Sequence, residues 1–368
     1  MKNIILGNGI NIQFGGLDYT NRSIIERALS KLDLKDFNPD VYTKDVGDWI
    51  NSLYQILPEI LHGNYDLYAV LSDEKEELEK FKDRYTASTA INEIGFEDFF
   101  LMNELFCRKY KISNPERFYA QEFIRRLFLD SIYNNGKINV IHQKFPQGFK
   151  KFLNEFDIVF TTNYDRNIEH ATGREVLYLH GAFHVIAAEY DPNSFRNQLS
   201  DRPVEKTPVV KGYEHVFSTA LTGSSGVFKK FSSDSQENAN SGITKFAEGY
   251  LNRPDLRPQI DEWKDSENAT LRNLYEGIKL KISNPNLKFS IDYALNKLES
   301  IVGDVIIMGL SPYNDTHIFS ILLENKQVQT IEYYYFEKTE VDEIASRLED
   351  KLLDARNVTE FWEAIAKT

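Results

Sequence analysis

Cysteine is almost absent from this chain of 368 residues, in which Cys107 is the only one. One thiol excludes an intramolecular disulfide framework and any zinc site built from several cysteines. Long apolar runs are absent too: no stretch of about 18 apolar residues occurs, so we expect no membrane-spanning helix. The three apolar residues before Gly7 are too few for the core of a signal peptide. We therefore expect a protein of the reducing cytoplasm that holds no zinc.

Positive charge is in deficit, with 43 Lys and Arg against 56 Asp and Glu and a formal net charge of −13. Because nucleic-acid backbones bind basic surfaces, we expect no direct contact with nucleic acid. Aromatic residues, in contrast, are plentiful: 25 Phe and 20 Tyr supply the material for a large core. Composition and length together predict one domain over 1–368.

Short apolar segments predict the strands of the fold, at 3–6, 157–161, 175–179, 304–308 and 329–336. Helical patterns lie between them, for example at 21–33 and 287–300. A last amphipathic helix is predicted from the apolar residues of one face, Val341, Ile344, Ala345, Leu348 and Leu352. Strands that alternate with helices are typical of a parallel sheet covered on both faces. The predicted fold class is therefore α/β, with a Rossmann-like parallel sheet.

Two long segments depart from this alternation. Residues 36–135 contain almost no strand signal and carry helical patterns, which predicts a helical insertion in the α/β domain. Residues 190–260 are polar and rich in small residues, as in Thr222–Gly226. This second composition predicts a variable, loop-rich segment with irregular helices.

Glycines follow the first predicted strand, in the sequence Gly7-Asn8-Gly9-Ile10-Asn11. Glycine permits a close approach of the backbone to a pyrophosphate, and the amides of a following helix would add hydrogen-bond donors. The steric needs of a strand-to-helix turn explain the same glycines without a ligand. A second pair, Gly15-Gly16, indicates a longer loop than that of the compact dinucleotide-binding fingerprint.

Polar residues also follow the next two strands. Thr161-Thr162-Asn163-Tyr164-Asp165 ends the strand 157–161, where an asparagine can contact ribose hydroxyls or hold a water. Capping of the next helix by Asn163 and Asp165 is the structural alternative. His180, with Gly181 beside it, ends the strand 175–179 and suits general-base chemistry. A partly buried structural histidine is the alternative at this position.

A fourth polar segment, from Gly309 to Ile318, follows the strand 304–308. Gly309 and Ser311 suit contact with phosphate or ribose. We interpret Asp315 and His317 as a structural hydrogen-bonded pair or a helix cap rather than as catalytic residues. Because the carboxyl ends of parallel strands meet at one edge of a sheet, the four motifs are expected to converge on one site.

These motifs resemble those of the sirtuin family, and more closely those of its bacterial branch that degrades NAD in antiphage defence. The sirtuin pattern Gly-Ala-Gly-x-Ser is similar to Gly7-Asn8-Gly9-Ile10-Asn11, and Thr-Gln-Asn-x-Asp is similar to Thr161–Asp165. The catalytic His-Gly pair resembles His180-Gly181, which lies 17 residues after Asn163, a spacing like that of sirtuins. The Asn–His pair is the specific part of this resemblance.

The resemblance extends to later segments and has limits. The late Gly-Thr-Ser of sirtuins resembles Gly309–Ser311, and Asn314–Ile318 and Phe96–Phe99 are similar to segments of the defence branch. It covers roughly 3–16, 157–184 and 304–318. Sirtuin deacetylases bind zinc through four cysteines and carry Asp-Phe-Arg after the glycine loop, and this chain has neither. Both departures weaken a deacetylase assignment.

The resemblance implies a sirtuin-type fold and an NAD+ hydrolase that cleaves the nicotinamide–ribose bond, an effector of antiviral defence by NAD depletion. It implies Asn163 and His180 as catalytic residues, no metal, and NAD contacts from Gly7, Asn8, Gly9, Asn11, Thr162, Asp165, Gly309 and Ser311. It also implies control through a homo-oligomer or a partner such as a HerA-type ATPase. Two alternatives stay open: a non-catalytic module that senses NAD or ADP-ribose, and a protein deacylase or ADP-ribosyltransferase.

Overall fold

A sheet of six parallel strands lies at the centre of the computed structural model, which describes residues 1–34, 38–42, 46–70, 72–187, 190, 209–221, 236–288 and 293–366. The strands are β1 (Lys2–Leu6), β2 (Ile158–Thr161), β3 (Leu177–Tyr178), β4 (Asp304–Met308), β5 (Thr330–Tyr335) and β6 (Leu352–Asn357). Their order is β3-β2-β1-β4-β5-β6, and every neighbouring pair is parallel. The predicted α/β class with a parallel sheet is confirmed, and the strand order is compatible with a Rossmann-like fold.

Helices make up the other regular elements. Before β2 lie α1 (Gly9–Gly15), α2 (Asn21–Leu34), α3 (Val46–Gln55), α4 (Leu57–Leu61), α5 (Ser72–Arg84), α6 (Asp98–Lys109), α7 (Glu116–Tyr133) and α8 (Gln147–Leu153). After β2 lie α9 (Asn167–Thr172), α10 (Gln236–Asn252), α11 (Arg257–Glu262), α12 (Ala269–Ser283), α13 (Leu295–Glu299), α14 (Thr316–Glu324), α15 (Thr339–Arg347) and α16 (Val358–Ile365). All described elements within 36–135 are helical.

Strand β6 is an element that the sequence pattern did not predict. Leu352 was expected on the last amphipathic helix, but α15 ends at Arg347 and Leu352 begins β6. Burial along β6 alternates between exposed and half-buried residues, which is the period of an edge strand and not of a helix. The apolar residues of α15 keep helical spacing up to Leu348. Because the prediction used this spacing alone, it extended the helix past the turn that separates α15 from β6.

Three other expectations differ from the structure. Of the helix predicted at 287–300, only α13 is helical among the described residues, and 289–292 lie outside them. Gly15-Gly16 does not mark a long loop at the first turn, since α1 begins at Gly9. Within 190–260, α10 and α11 are regular helices. Thr222–Gly226 lies outside the described residues.

Both faces of the central strands are buried, as their continuous apolar sequences predict. In β1, Ile4 and Leu6 pack into the core formed with the helices that precede β2, whereas Ile5 packs on the other face with Phe160 and Ile307. This alternation is the period-2 geometry of a strand. Because helices cover both faces, a ligand reaches the sheet at the ends of its strands.

The neighbouring strands β1 and β4 define the place where such a ligand is expected. The chain continues from β1 to β2 on one side of the sheet and from β4 to β5 on the other. In open α/β sheets this reversal leaves a crevice outside the carboxyl ends of the strands. The motifs that follow β1, β2, β3 and β4 all lie at that edge.

Candidate ligand site at the carboxyl edge of the sheet

A cavity of about 1300 Å³ opens at this edge. Eight of the ten predicted site residues line it: Asn8, Gly9, Asn11, Thr162, Asn163, His180, Gly309 and Ser311. Gly7 and Asp165 do not. The volume exceeds the ~300–1,000 Å³ that is typical for drug-sized ligands, so a molecule as large as a dinucleotide can be accommodated.

The glycines after β1 pack directly on the turn after β4. The backbone amides of Gly7 and Gly9 donate to the carbonyl oxygens of Met308 (2.9 Å) and Gly309 (3.0 Å). A Cβ atom on Gly7 would lie 2.3 Å from the Gly309 oxygen, and one on Gly9 would lie 2.6 Å from the Gly309 Cα. Contact between two backbones therefore explains why residues 7 and 9 are glycine, before any ligand is considered.

Asp165 is a buried structural residue behind the cavity. It accepts hydrogen bonds from the Asn11 side chain (2.8 Å) and from the Asn167 backbone amide (2.9 Å) at the start of α9. Burial raises the pKa of the Asp165 carboxyl, and the hydrogen bonds from Asn11 and Asn167 only partly oppose this effect. Asp165 thus accepts from the first amide of α9, one residue before the N-cap residue Arg166, and it also fixes the side chain of Asn11 at the cavity wall.

Asn163 has a different environment and does not cap a helix. Its backbone amide donates to Thr161 Oγ1 (3.0 Å), and its Nδ2 donates to the carbonyl oxygen of Gly7 (3.1 Å). The bond from Nδ2 fixes the orientation of the side-chain amide. No described residue donates a hydrogen bond to Asn163 Oδ1, and Asn163 lines the cavity although it is only 6% exposed. The site therefore holds an oriented acceptor suited to a ligand hydroxyl or a water.

His180 is buried at the end of β3 and is braced by a second segment of chain. Gly181 has a φ of +81°, and a Cβ there would lie 2.1 Å from the carbonyl oxygen of Thr219. The Thr219 hydroxyl accepts a hydrogen bond from the Ala182 amide (3.0 Å). Arg125 of α7 in turn donates to the carbonyl oxygens of residues 216, 218 and 220. The position of His180 thus depends on α7, which lies far away in sequence.

Asp315 and His317, for which the sequence favours a structural role, lie beside His180. His317 Nε2 is 3.0 Å from His180 Nε2, with the ring centroids 5.0 Å apart. Asp315 Oδ1 is 3.8 Å from the same nitrogen, and Asp315 lines the cavity. Asp315 occupies the N-cap position of α14, yet its side chain makes no capping hydrogen bond. In the sequence, an acid and a histidine two residues apart after the predicted strand 304–308 were the signal that could have indicated a functional role for Asp315 and His317.

Helices α5, α6 and α7 form a cavity wall that motif reasoning missed. Arg84 pairs with Asp98 (2.6 Å) and Arg108 pairs with Glu74 (2.6 Å), so the charges of these arginines are balanced within the wall. Arg117 also lines the cavity and forms no ion pair with any described residue. It is therefore a cation that can meet an anionic group of a ligand.

Comparisons of the chain with protein-family models, with curated proteins and with solved structures gave no match. The fold and the site define a class only: an α/β protein with an all-parallel sheet, compatible with a Rossmann-like fold, and a cavity at its carboxyl edge. Within the described ranges, no helix is long and apolar enough to cross a membrane. The same ranges contain no group of three or more His, Cys, Asp or Glu side chains arranged to hold a metal ion.

Proposed function

We propose that this protein hydrolyses the nicotinamide–ribose bond of NAD+ and releases nicotinamide and ADP-ribose. The observation that carries the proposal is the convergence of Asn163 and His180 on one cavity, with the Asn163 side-chain amide oriented by its hydrogen bond to the Gly7 carbonyl oxygen. The four strand-end motifs that resemble the sirtuin pattern meet at the same edge of the sheet. A sirtuin type of the fold is part of this proposal.

The proposed reaction breaks the bond between C1′ of the ribose and the nicotinamide nitrogen. The electron pair of that bond stays with nicotinamide, which leaves as a neutral molecule. Asn163 holds a ribose hydroxyl and positions the water whose oxygen bonds to C1′. His180 acts as base toward that water or toward a ribose hydroxyl, and the proton then passes to solvent. Polar groups fixed in a buried site stabilise the cationic transition state.

The remaining cavity residues are assigned to binding. The turns that carry Asn8 and Asn11 after β1, and Gly309 and Ser311 after β4, contact the ribose and phosphates in this proposal. Arg117, which lines the cavity on the helical wall, is assigned to the pyrophosphate in this proposal. Asp165 orients Asn11 and does not touch the substrate.

The test is nicotinamide release by the purified 368-residue chain, with Asn163→Ala and His180→Ala as variants. Each should lower turnover about 10²- to 10⁴-fold, while His180→Ala still binds NAD+ in calorimetry. His184→Ala is the matched control, because His184 is exposed and does not line the cavity. Full turnover in His180→Ala would refute the assignment.

The same assay separates the alternatives. NAD+ binding without nicotinamide release under every condition would favour a sensing module. Nicotinamide release that requires an acyl or protein acceptor would favour a deacylase or an ADP-ribosyltransferase. Antiviral NAD depletion in the cytoplasm, homo-oligomer formation and a HerA-type ATPase partner are proposed on the motif resemblance alone, and turnover should then depend on assembly or on that partner.

A further inference from the structure

The carboxyl end of β5 forms a part of the cavity to which no role has been assigned. Phe336, after β5, and Tyr313, after β4, both line it. We propose that this end of the cavity is a nucleoside subsite, in which the two rings contact a planar base and the carboxylate of Glu340 accepts a hydrogen bond from the nucleoside and repels phosphate. The identity of that nucleoside as the adenosine of NAD+ rests on the proposed function, whereas base binding can be measured without turnover.

The position of this subsite in the sheet separates it from Asn163 and His180. In the order β2-β1-β4-β5, three strand spacings lie between β2, which precedes Asn163, and β5. Because neighbouring strands are about 4.8 Å apart, the carboxyl ends of β2 and β5 are roughly 14 Å apart. One cavity includes residues from both ends. A ligand that fills it must therefore be elongated and present a separate chemical group to each end.

The two aromatic rings leave apolar surface open at the cavity. Phe336 is 72% exposed and Tyr313 is 47% exposed. Within the described part of the chain, the only exposed phenylalanines are Phe246 and Phe336. A base that stacks on such a ring removes apolar area from water on both partners, and every base has a face suited to this contact. The exposed rings therefore favour a planar, heteroaromatic group as the ligand.

Hydrogen bonds connect the two turns that carry these rings. The Phe336 amide donates to Glu340 Oε2 (3.1 Å). The Tyr333 hydroxyl lies 3.2 Å from the same oxygen and 2.9 Å from the carbonyl oxygen of Leu310, in the turn after β4, and its proton is shared between them. Burial, together with the Glu340 charge, raises the pKa of Tyr333, so the hydroxyl keeps this proton. The subsite is thus formed before a ligand binds, which lowers the entropic cost of binding.

Glu340 supplies the polar contact of the subsite. Its Oε2 is engaged by Phe336 and Tyr333, whereas no described residue donates a hydrogen bond to Oε1. Glu340 lines the cavity beside the rings. An ionised carboxylate only accepts hydrogen bonds, so its partner on the ligand must be a hydroxyl or an amino group. Ribose hydroxyls and the amino group of a base are such donors.

The charges of the cavity disfavour a phosphate at this end. Eight acidic and four basic side chains line the cavity. Lys80, Arg84 and Arg108 each pair with an acid of the helical wall, and Arg117 lies on α7. The turns after β4 and β5 contribute no lysine or arginine to the lining. A phosphate beside Glu340 would therefore meet a like charge. The expected ligand is a nucleoside with free ribose hydroxyls, as in NAD+ and not NADP+.

The first test measures the binding of ADP-ribose to the 368-residue chain by calorimetry, since ADP-ribose has no nicotinamide–ribose bond to cleave. Phe336→Ala should weaken binding about 5- to 100-fold, as when other stacked aromatic residues are removed. Phe336→Trp, which keeps a ring, should bind like wild type. Ribose 5-phosphate lacks a base and should bind equally to all variants.

An exposed aromatic residue outside the cavity supplies the matched control. Tyr119 is 46% exposed, almost the same as Tyr313, and does not line the cavity. Tyr119→Ala should therefore bind ADP-ribose like wild type, whereas Tyr313→Ala should bind it more weakly. ADP-ribose binding that is unchanged in both Phe336→Ala and Tyr313→Ala would overturn the subsite, and so would the lack of saturable binding by wild type.

The second test concerns the carboxylate. Wild type should bind 2′-phospho-ADP-ribose at least about 10-fold more weakly than ADP-ribose. Glu340→Gln keeps an acceptor for the Phe336 amide but removes the charge, so the difference should shrink. Glu337→Gln makes the same charge change at an exposed residue that does not line the cavity, and it should preserve the difference. Equal binding of both ligands by wild type, or a preference unchanged in Glu340→Gln, would contradict the role of Glu340.

Turnover distinguishes this inference from the proposed function. Loss of ADP-ribose binding in Phe336→Ala, with no nicotinamide release by wild type, would keep the subsite and refute the hydrolase. If NAD+ is hydrolysed, Phe336→Ala should raise the KM for NAD+ but not for nicotinamide mononucleotide, which has no adenosine. An equal rise for both substrates would place the effect of Phe336 outside a nucleoside subsite and overturn the inference.

Discussion

The close packing of the first glycine turn on the β4 turn leads to a quantitative prediction for Gly9→Ala. The added Cβ would lie 2.6 Å from the Gly309 Cα, about 0.8 Å closer than the shortest ordinary contact. No rotamer change can relieve this clash, because both groups are backbone. The turns after β1 and β4 must therefore move apart, and such overpacking typically costs about 1–3 kcal/mol.

Function should suffer more than stability in this variant. The displaced turn carries Asn8 and Asn11, both of which line the cavity. A misplacement of about 1 Å near a reacting group can lower turnover about 10²-fold. We therefore expect Gly9→Ala to unfold at lower urea concentration and to lose most of its NAD+ turnover while it remains folded.

A glycine without such a neighbour supplies the control. Gly242 lies inside α10, and a Cβ added there meets nothing within 4 Å. Gly242→Ala should be stabilised by up to about 1 kcal/mol, because alanine is the better helix former. Urea unfolding followed by circular dichroism gives both free energies of unfolding. Gly9→Ala within about 0.5 kcal/mol of wild type, with full turnover, would refute the packing argument.

Two further predictions concern buried titratable groups away from the cavity. Burial raises the pKa of Asp130, but hydrogen bonds and charge from His215 and Lys31 outweigh burial and lower it to about 2. Ionised Asp130 therefore stabilises the fold above the carboxyl's ordinary pKa by about 2 kcal/mol, and this stability is lost as pH falls through about 2. The stability difference between wild type and Asp130→Asn should shrink from pH 5 to pH 2, as measured by urea unfolding. Burial, with a smaller effect of Glu104, raises the pKa of the Cys107 thiol to about 12, so a thiol reagent at pH 8 should react only after unfolding.

Each of these predictions has its own control. Asp83 is exposed, so Asp83→Asn should leave stability unchanged across the same pH range. A constant difference between wild type and Asp130→Asn down to pH 2 would contradict the assigned ion pair. For Cys107, rapid labelling of the native protein, at the rate of the unfolded chain, would contradict its burial.

Local sequence was sufficient for the α/β class with a parallel sheet and for the expectation that the polar motifs meet at one edge of it. The strands β1, β2, β4 and β5 were predicted within one residue of their bounds at each end, because each is a short apolar run that matches a strand buried on both faces. The polar residues that follow them could be placed at one edge, since parallel strands share a direction. The edge strand β6 was missed, because its half-exposed residues continue a helical pattern.

The roles of individual residues needed the tertiary structure. Asn163 and Asp165 are two residues apart and looked equivalent in sequence, yet one lines the cavity and the other accepts from the first amide of α9 behind it. Gly7 and Gly9 satisfy a contact with Gly309 that no local pattern encodes. For the two glycines, the deciding neighbour Gly309 follows a different strand, β4.

The sequence by itself determined which chemical groups reach the edge of the sheet, because strand direction and turn position follow from local pattern. Only the tertiary structure decided how those groups are paired. His180 and His317 are separated by 137 residues and meet at 3.0 Å, and Arg125 braces the segment beside His180 from a distant helix. Such contacts depend on how the helices pack on the two faces of the sheet, and side-chain distances of this kind are set by packing rather than by periodicity.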